Sequence, residues 1–458
     1  MESTRLTQAA GLPLEECVSA SLDLFSGPSM ETSIERCYYD EIFPQSPLSD
    51  TASLISFHLP PSEDLTDCSE CFIKLRLSLS TMLPAADALP IRRGPPPTQA
   101  ATASYALINQ AASSIFSSVN VRISDVSLSD SYQTYPYLAM IQSILNFSKD
   151  SRDTKCSLMG FTSDEDPTVI IATNNEASGF KTRAGWTDQG VQRTYISPIF
   201  HDFFHQSRLL LPLTNLYLDF TKASNAFAIT SNKANADYHF KIEDFRLFVR
   251  RVKTTPSTKL YLENELASGK PARYPLVSST VKPYFINAGA KSHVIENVFS
   301  GKGIPRFCLV AFCLQTDYRG AYGTSPFTFP NFSLTSLKLT FGSHTFPSPP
   351  FAPLYVGTNP DHTREYLALM YNTFKSDVGS MITYDNFKNY YALYVMDLGH
   401  FSISSTDHVL PKVDVNARLD MAFHSTSNNA ALTALVYTEY DVELQIDSAR
   451  NVTRDYIL

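Results

Sequence analysis

Cys68 and Cys71 form a CxxC pair, half of the ligand set of a structural zinc centre. No second Cys or His pair stands nearby in the sequence, so they read as two cysteines at the mouth of a strand. His201 and His205, in HDFFH, would share one face if the segment were helical. No Glu follows the first histidine to act as a base, and the run continues into a strand-like segment. FSGKGIPR (299–306) has two glycines and Lys302 but lacks the glycine-to-lysine spacing that cradles phosphates, and reads as a turn between strands. No nucleophile elbow occurs, and none of Cys17, Cys37, Cys68, Cys71, Cys156, Cys308 and Cys313 comes with a histidine partner motif. Asp164 to Asp166, and Glu243 with Asp244, are adjacent carboxylates. Neighbours on a strand point to opposite faces and cannot share one substrate atom, so they read as solvated or structural. The expectation is a protein without catalytic, cofactor-binding or metal-binding residues, and not an enzyme.

The elements carrying these residues follow from composition. Of 458 residues, 43% are hydrophobic and only 18% charged, the balance of packed globular domains. At ~150 residues per domain the length suggests about three domains, but two larger all-β domains fit as well. Aromatic content reaches 12%, nearly all Phe and Tyr, with Trp186 the one tryptophan. Together with 28 Pro against 17 Gly and many short Val/Ile/Leu/Thr/Tyr runs, this reads as strands joined by rigidified loops. A net charge of -8 disfavours direct genome binding, which needs a positive field. Seven thinly spread cysteines suit a reducing compartment rather than a disulfide scaffold. The first residues show no basic start followed by an apolar run, and no stretch of about 18 apolar residues occurs. Neither a signal peptide nor a membrane span is expected, and Asn146, Asn331 and Asn451, though in Asn-x-Ser/Thr triplets, are expected to be unmodified. Arg246, Arg250, Arg251 and Lys253 crowd one strand end; alternation spreads them over both faces, which reads as a solvated end or a contact with another subunit or internal component.

Residues 1–50, rich in Ser, Glu, Pro and Thr, read as an extended arm whose sticky parts are LDLFS (22–26) and YYDEIFP. Leu83 to Thr98 reads as a long loop. In CFIKLRLSLS (71–80), Phe72, Lys74, Arg76 and Ser78 alternate with Ile73, Leu75, Leu77 and Leu79, which places the run in an antiparallel sheet over a core. The order of elements then repeats. A strand pair (119–130), an apolar-periodic helix (135–147), then 194–200, 207–221 and 238–253 are matched by a strand pair (333–346), a helix (362–374), then 391–398, 413–423 and 432–446. YLAMIQSILNF at Tyr137 parallels YLALMYNTF at Tyr366, and NLYLDF at Asn215 parallels NARLDM at Asn416. Each half is therefore expected to be a two-sheet sandwich of Greek-key or jelly-roll type with one inserted helix.

The ordered series LDLFSGPSMETSIERCYYDEIFP (22–44), INQAASSIFSSVNVRISD (108–125), SYQTYPYLAMIQSILNF (131–147), SRLLLPLTNLYL (207–218), YHFKIEDFRLFVRRVKTTPS (238–257), ARYPLVSSTVKPYFINAG (272–289), YRGAYGTSPFTFPNFSL (318–334) and YTEYDVELQIDSARNVTRDY (437–456) resembles the hexon-like major capsid proteins of Maverick/Polinton elements, adintoviruses and related small double-stranded DNA viruses. Two departures touch loop geometry: the Pro/Ala-rich loop around 83–103 is longer than the family's, and Ser124 and Asp125 stand where an Asn-Gly turn is common.

The resemblance implies a vertical double jelly roll of two eight-stranded barrels, with three subunits presenting six similar units that tile an icosahedral lattice beside penton and minor capsid proteins. The expected division is an arm (1–50), a first jelly roll (51–256), a connecting helix and turn (257–275), a second jelly roll (276–447) and a C-terminal tail (448–458). The expected setting is a virion, made in the host cytoplasm and assembled in the nucleus. The alternative reading is a β-sandwich receptor- or carbohydrate-binding spike or minor capsid protein; a cupin-like enzyme would need a His/Glu metal set that the sequence lacks.

Overall fold

Strands form where apolar residues recur with period two, because a sheet with one wet face sorts side chains that way. A computed structural model describes residues 32–81, 105–129, 132–164, 166–168, 170, 179–187, 190–232, 238–299, 303–373, 382–398, 416–424 and 430–456. The first half contains β1 (Ile34–Ile42), β2 (Leu54–Leu59), β3 (Leu65–Thr81), β4 (Tyr105–Leu107), β5 (Phe116–Ile123), β6 (Val126–Ser127), β7 (Arg193–Pro198), β8 (Leu216–Lys222), β9 (Ile229–Ser231) and β10 (Tyr238–Thr254). The second contains β11 (Ala272–Ile286), β12 (Ser292–Ile295), β13 (Phe307–Leu314), β14 (Leu334–Phe341), β15 (His344–Phe351), β16 (Tyr394–Asp397), β17 (Ala417–Phe423), β18 (Leu432–Ile446) and β19 (Val452–Tyr456).

Leaving aside the small β4-β9 pair and β19, each half supplies eight strands in one permutation. Counted in chain order within a half, the sheets run 1-8-3-6 and 2-7-4-5: β1-β10-β3-β7 with β2-β8-β5-β6, then β11-β18-β13-β16 with β12-β17-β14-β15. That wrapping is the jelly roll. The repeated order of elements in the sequence is thus a repeated topology, mainly β, with two eight-stranded rolls. A helix sits between the fifth and sixth strands of each roll, α1 (Tyr135–Asn146) in the first and the equivalent helix Thr363–Thr373 in the second.

The sheets of each roll close on aromatic side chains. Phe57 lies 4.7 Å from Phe245 and Phe220 5.0 Å from it, ring centre to ring centre, joining the two sheets of the first roll. Phe312 does the same in the second, 5.4 Å from Phe423. The predicted inward set Ile73, Leu75, Leu77 and Leu79 is buried. The helix α2 (Gly179–Thr187) packs beside β4. Between the rolls runs α3 (Pro256–Ala267), with Pro256 in its first turn, where a missing N–H costs nothing, and mostly solvated sides. The helix of the second roll, Thr363–Thr373, is α4.

The two rolls differ at their β-hairpin turns. Gly342, at φ 58°, turns β14 into β15 without steric cost, whereas Ser124 holds φ 50° between β5 and β6. Its N–H donates to Asn215 O at 2.9 Å, and its hydroxyl contacts Arg450 O at 3.4 Å, which anchors the costlier turn.

Two expectations are corrected. The arm does not extend to residue 50: Ile34–Ile42 is the edge strand of the first roll, paired antiparallel with β10 from Ile34 opposite Thr254 to Ile42 opposite Leu247. Within the expected C-terminal tail (448–458), Val452–Tyr456 is likewise a strand, added to β18. Cys17, LDLFS and the loop 83–98 lie outside the described residues.

Candidate assembly surfaces

Several of the polar residues singled out in the sequence, among them Cys68, Cys71 and His201, are turned inward, where they brace the fold. Four residues, Cys68 to Cys71, bulge out of β3 opposite Val249, since Asp67 faces Arg250 and Phe72 faces Phe248. Both thiols point into the interior; Cys71 Sγ donates to Asp67 O at 3.2 Å, and burial pushes its pKa up to about 12. A thiol so held is protonated at neutral pH and is a poor nucleophile and metal ligand. Among the described residues no group of three or more His, Cys, Asp or Glu is placed to hold a metal.

His201 and His205 do not share a helical face. They flank the 3-10 turn Asp202–Phe204, with His201 buried as its N-cap and His205 exposed. His201 Nδ1 accepts from Phe203 N at 3.2 Å, so the ring proton sits on Nε2, 3.0 Å from Ser129 Oγ. Asp164 is no surface carboxylate: it is buried with Arg183 of α2 at 2.8 Å, and Arg183 also donates through Nε to Leu107 O at 3.2 Å. Asp166 carries the Thr168 hydroxyl at an exposed turn, and Glu165 lies outside the described residues. Glu243 accepts from Ser78 Oγ at 2.9 Å, and Asp244 pairs with Arg246 at 3.0 Å. Ser300 to Lys302 lie outside the described residues, while Arg306 pairs in the interior with Asp441 at 2.7 Å.

The basic group at the end of β10 is absorbed by acids on neighbouring strands. Arg246 meets Glu41 at 2.7 Å, Lys253 meets Glu35 at 2.7 Å, and Arg250 meets Asp67 at 3.4 Å. Arg251 departs from the expected solvated end. It is buried, donating to Asp40 Oδ2 at 3.0 Å, Thr66 Oγ1 at 2.6 Å and Pro60 O at 3.3 Å. Arg251 continues the buried alternation of Phe245, Leu247 and Val249 along β10, so period two itself carries it to the inner face.

The most developed contact surface joins the two rolls. Tyr137 of α1 sits among Tyr318, Phe327 and Phe329 of the second roll, at ring distances of 5.6, 5.8 and 6.5 Å. The helix N-cap residue Thr134 gives its hydroxyl to Val281 O of β11 at 2.9 Å rather than to its own helix. Arg454 of β19 reaches Leu128 O and Ser278 Oγ, both at 3.0 Å, and Arg450 reaches Pro212 O at 2.9 Å. No local pattern announces these tethers, because each joins residues far apart in the chain.

Two titratable neighbours in this seam pull in opposite directions. Burial, with help from Arg454 and His205, pushes His201 down from 6.5 to about 3. Burial also pushes the Asp202 carboxyl up from 3.8 to about 7, against the hydrogen bond from Ser279 N at 2.8 Å and the charge of Arg454, with Glu439 adding to the rise. The lowered histidine contributes stability above pH 6.5 that is lost as pH falls toward 3. The raised carboxyl contributes stability below pH 3.8 that is lost as pH rises through about 7. Between these limits the two slopes offset each other. Asp202→Asn is therefore expected to make the melting temperature fall on acidification from pH 7 to 5, and His201→Gln to make it rise. Thermal melts at the two pH values check this, and parallel shifts in both variants would contradict it.

No family model matches the chain. An uncharacterized protein of Caenorhabditis elegans is 22% identical over 369 residues, 77% of this chain and 83% of that protein. The fold is that of viral double jelly-roll major capsid proteins. A chain of the Sputnik virophage structure superposes with a TM-score of 0.62 at 14% identity, covering 98% of this chain and 94% of that one. A chain of the PBCV-1 virus capsid gives 0.59 at 11% identity, covering 95% and 100%. The mavirus major capsid protein gives 0.54 at 10% identity, covering 99% and 97%.

Proposed function

We propose that this chain is the major capsid subunit of a double-stranded DNA virus or virus-like mobile element. It self-associates as a trimer whose six rolls form a pseudo-hexagonal capsomer, and capsomers tile an icosahedral shell with penton and minor capsid proteins at its special positions. The observation that carries this reading is the match of both rolls, end to end, to capsid chains of nearly equal extent. The interior supports a structural role, since the buried thiols, histidine and carboxylates brace turns, strands and the seam. A nematode relative suits the mobile-element side of the resemblance. The protein acts in the virion, is made in the cytoplasm and is assembled in the nucleus, and its net charge of -8 leaves genome contacts to other components.

Light scattering of the purified protein, with electron microscopy of the same peak, tests this. The expected species has three times the 51.0 kDa chain mass, with closed particles at higher concentration. A monomer that persists across concentration and salt would overturn it in favour of a β-sandwich receptor- or glycan-binding protein.

A further inference from the structure

The internal repeat gives the molecule two equivalent clefts, of which one is filled. In the first roll, the cleft beside β6, α1 and β7 is lined by Leu128, Leu138 and Phe200, and Ser278 to Val281 of β11 close it from the other side. In the second roll, the equivalent cleft beside β15, α4 and β16 is an open, mostly apolar groove of about 390 Å³. Phe346, Phe351, Leu367, Tyr371 and Met396 line it, and Arg364 lies over the Phe351 ring. Leu367 and Tyr371 stand one helical turn apart and are 48% and 77% exposed. Their sequence counterparts on α1 are Leu138, half-buried at the seam, and Gln142, which is 5% exposed.

A matching surface is left over in the first roll. The strand that fills the closed cleft, β11, is the edge strand hydrogen-bonded to the long β18; its counterpart is β1, the edge strand on the long β10. Among the described residues no strand pairs with the outer edge of β1, where Tyr39 is 48% and Phe43 58% exposed. Behind them Tyr39 packs on Phe72 at 5.6 Å and Phe72 stacks on Phe248 at 4.8 Å, an aromatic ladder on the solvent side of the sheet. Adjoining exposed apolar surfaces of this kind mark interaction sites.

We infer that the groove beside α4 receives the β1 edge and aromatic ladder of a second copy of this chain, repeating between molecules the contact that β11 and α1 make within one. The contact is head-to-tail, since the two surfaces differ, so it propagates until a ring closes. This inference rests on the capsid reading and names the faces through which copies meet.

Tyr371→Glu and Tyr39→Glu test it separately, because both side chains are at least 48% exposed in the subunit and the dilute monomer should keep its fold, as read by circular dichroism. Each variant alone is expected to weaken self-association about 30-fold or more, as loss of an interface hot spot does. An equal mixture of the two retains one intact groove and one intact edge, and should yield a species of two chains, twice 51.0 kDa, but no ring. If Tyr371→Glu melts early, Leu367→Lys replaces it, and for the β1 edge alkylation of Cys37, exposed on β1, supplies a second reading: fast in dilute monomer, slow in the assembly. Trimers from both variants, or Cys37 equally reactive in both states, would overturn the placement and leave the capsid reading intact. A wild-type protein that never associates would overturn both.

Discussion

Tyr137→Ala is expected to destabilise the subunit by about 3–5 kcal/mol, whereas Tyr137→Phe should be neutral or slightly stabilising. The ring is buried at the junction of the rolls, against Phe227 of the first and Tyr318, Phe327 and Phe329 of the second. Truncation removes its apolar area and leaves a cavity that two rigid rolls, each held by its own sheets, cannot collapse. Among the described residues the hydroxyl has no hydrogen-bond partner, so removing it alone relieves an unpaired buried polar group. Urea unfolding followed by circular dichroism measures both changes. A loss below about 1 kcal/mol for the alanine variant would show that the rolls hold together without the aromatic cluster.

Arg183→Leu is expected to cost about 3–5 kcal/mol, because it strands the Asp164 carboxylate in a dry site. Only 7% of either side chain is exposed, and Asn109 Nδ2, 3.3 Å from Asp164, is a neutral donor that cannot replace the guanidinium. The double variant Arg183→Leu, Asp164→Leu should recover much of that loss, since an apolar pair of similar volume needs no charge compensation. A double-mutant cycle by chemical denaturation reads the coupling. If the double variant lost the sum of the two single losses, the pair would not be acting as a unit.

The sequence revealed whichever features repeat locally. The alternation in β3 and the recurring strand-pair, helix, strand, strand, strand order announced two sandwiches because burial of one sheet face leaves a mark on every second residue. Edge elements leave a weaker mark. Ile34–Ile42 reads as a polar arm because Glu35, Asp40 and Glu41 lie among its apolar residues, and those acids make sense only beside Lys253, Arg251 and Arg246 on a strand more than two hundred residues later. The same distance hid the burial of Arg251, while that of Asp164 depends on Arg183, 19 residues on and carried by a separate helix. Spacing left CxxC and HDFFH as incomplete motifs, and nothing in it signalled that His201 would cap a turn within the seam. The open groove beside α4 was illegible for another reason: Leu367 and Tyr371 belong to an ordinary apolar stripe, and only the fold shows how far they stay exposed.

The helix α3 joins the rolls covalently, and this makes their mutual contact a matter of tether length rather than protein concentration. Short tethers set local concentrations of the order of millimolar, so the seam persists at any dilution that a cell or test tube imposes. Contacts between separate copies have no such tether and obey mass action. In the proposed ring such a chain stores half of the equivalent contacts in advance, and growth would be turned on by abundance alone while each building block stays whole.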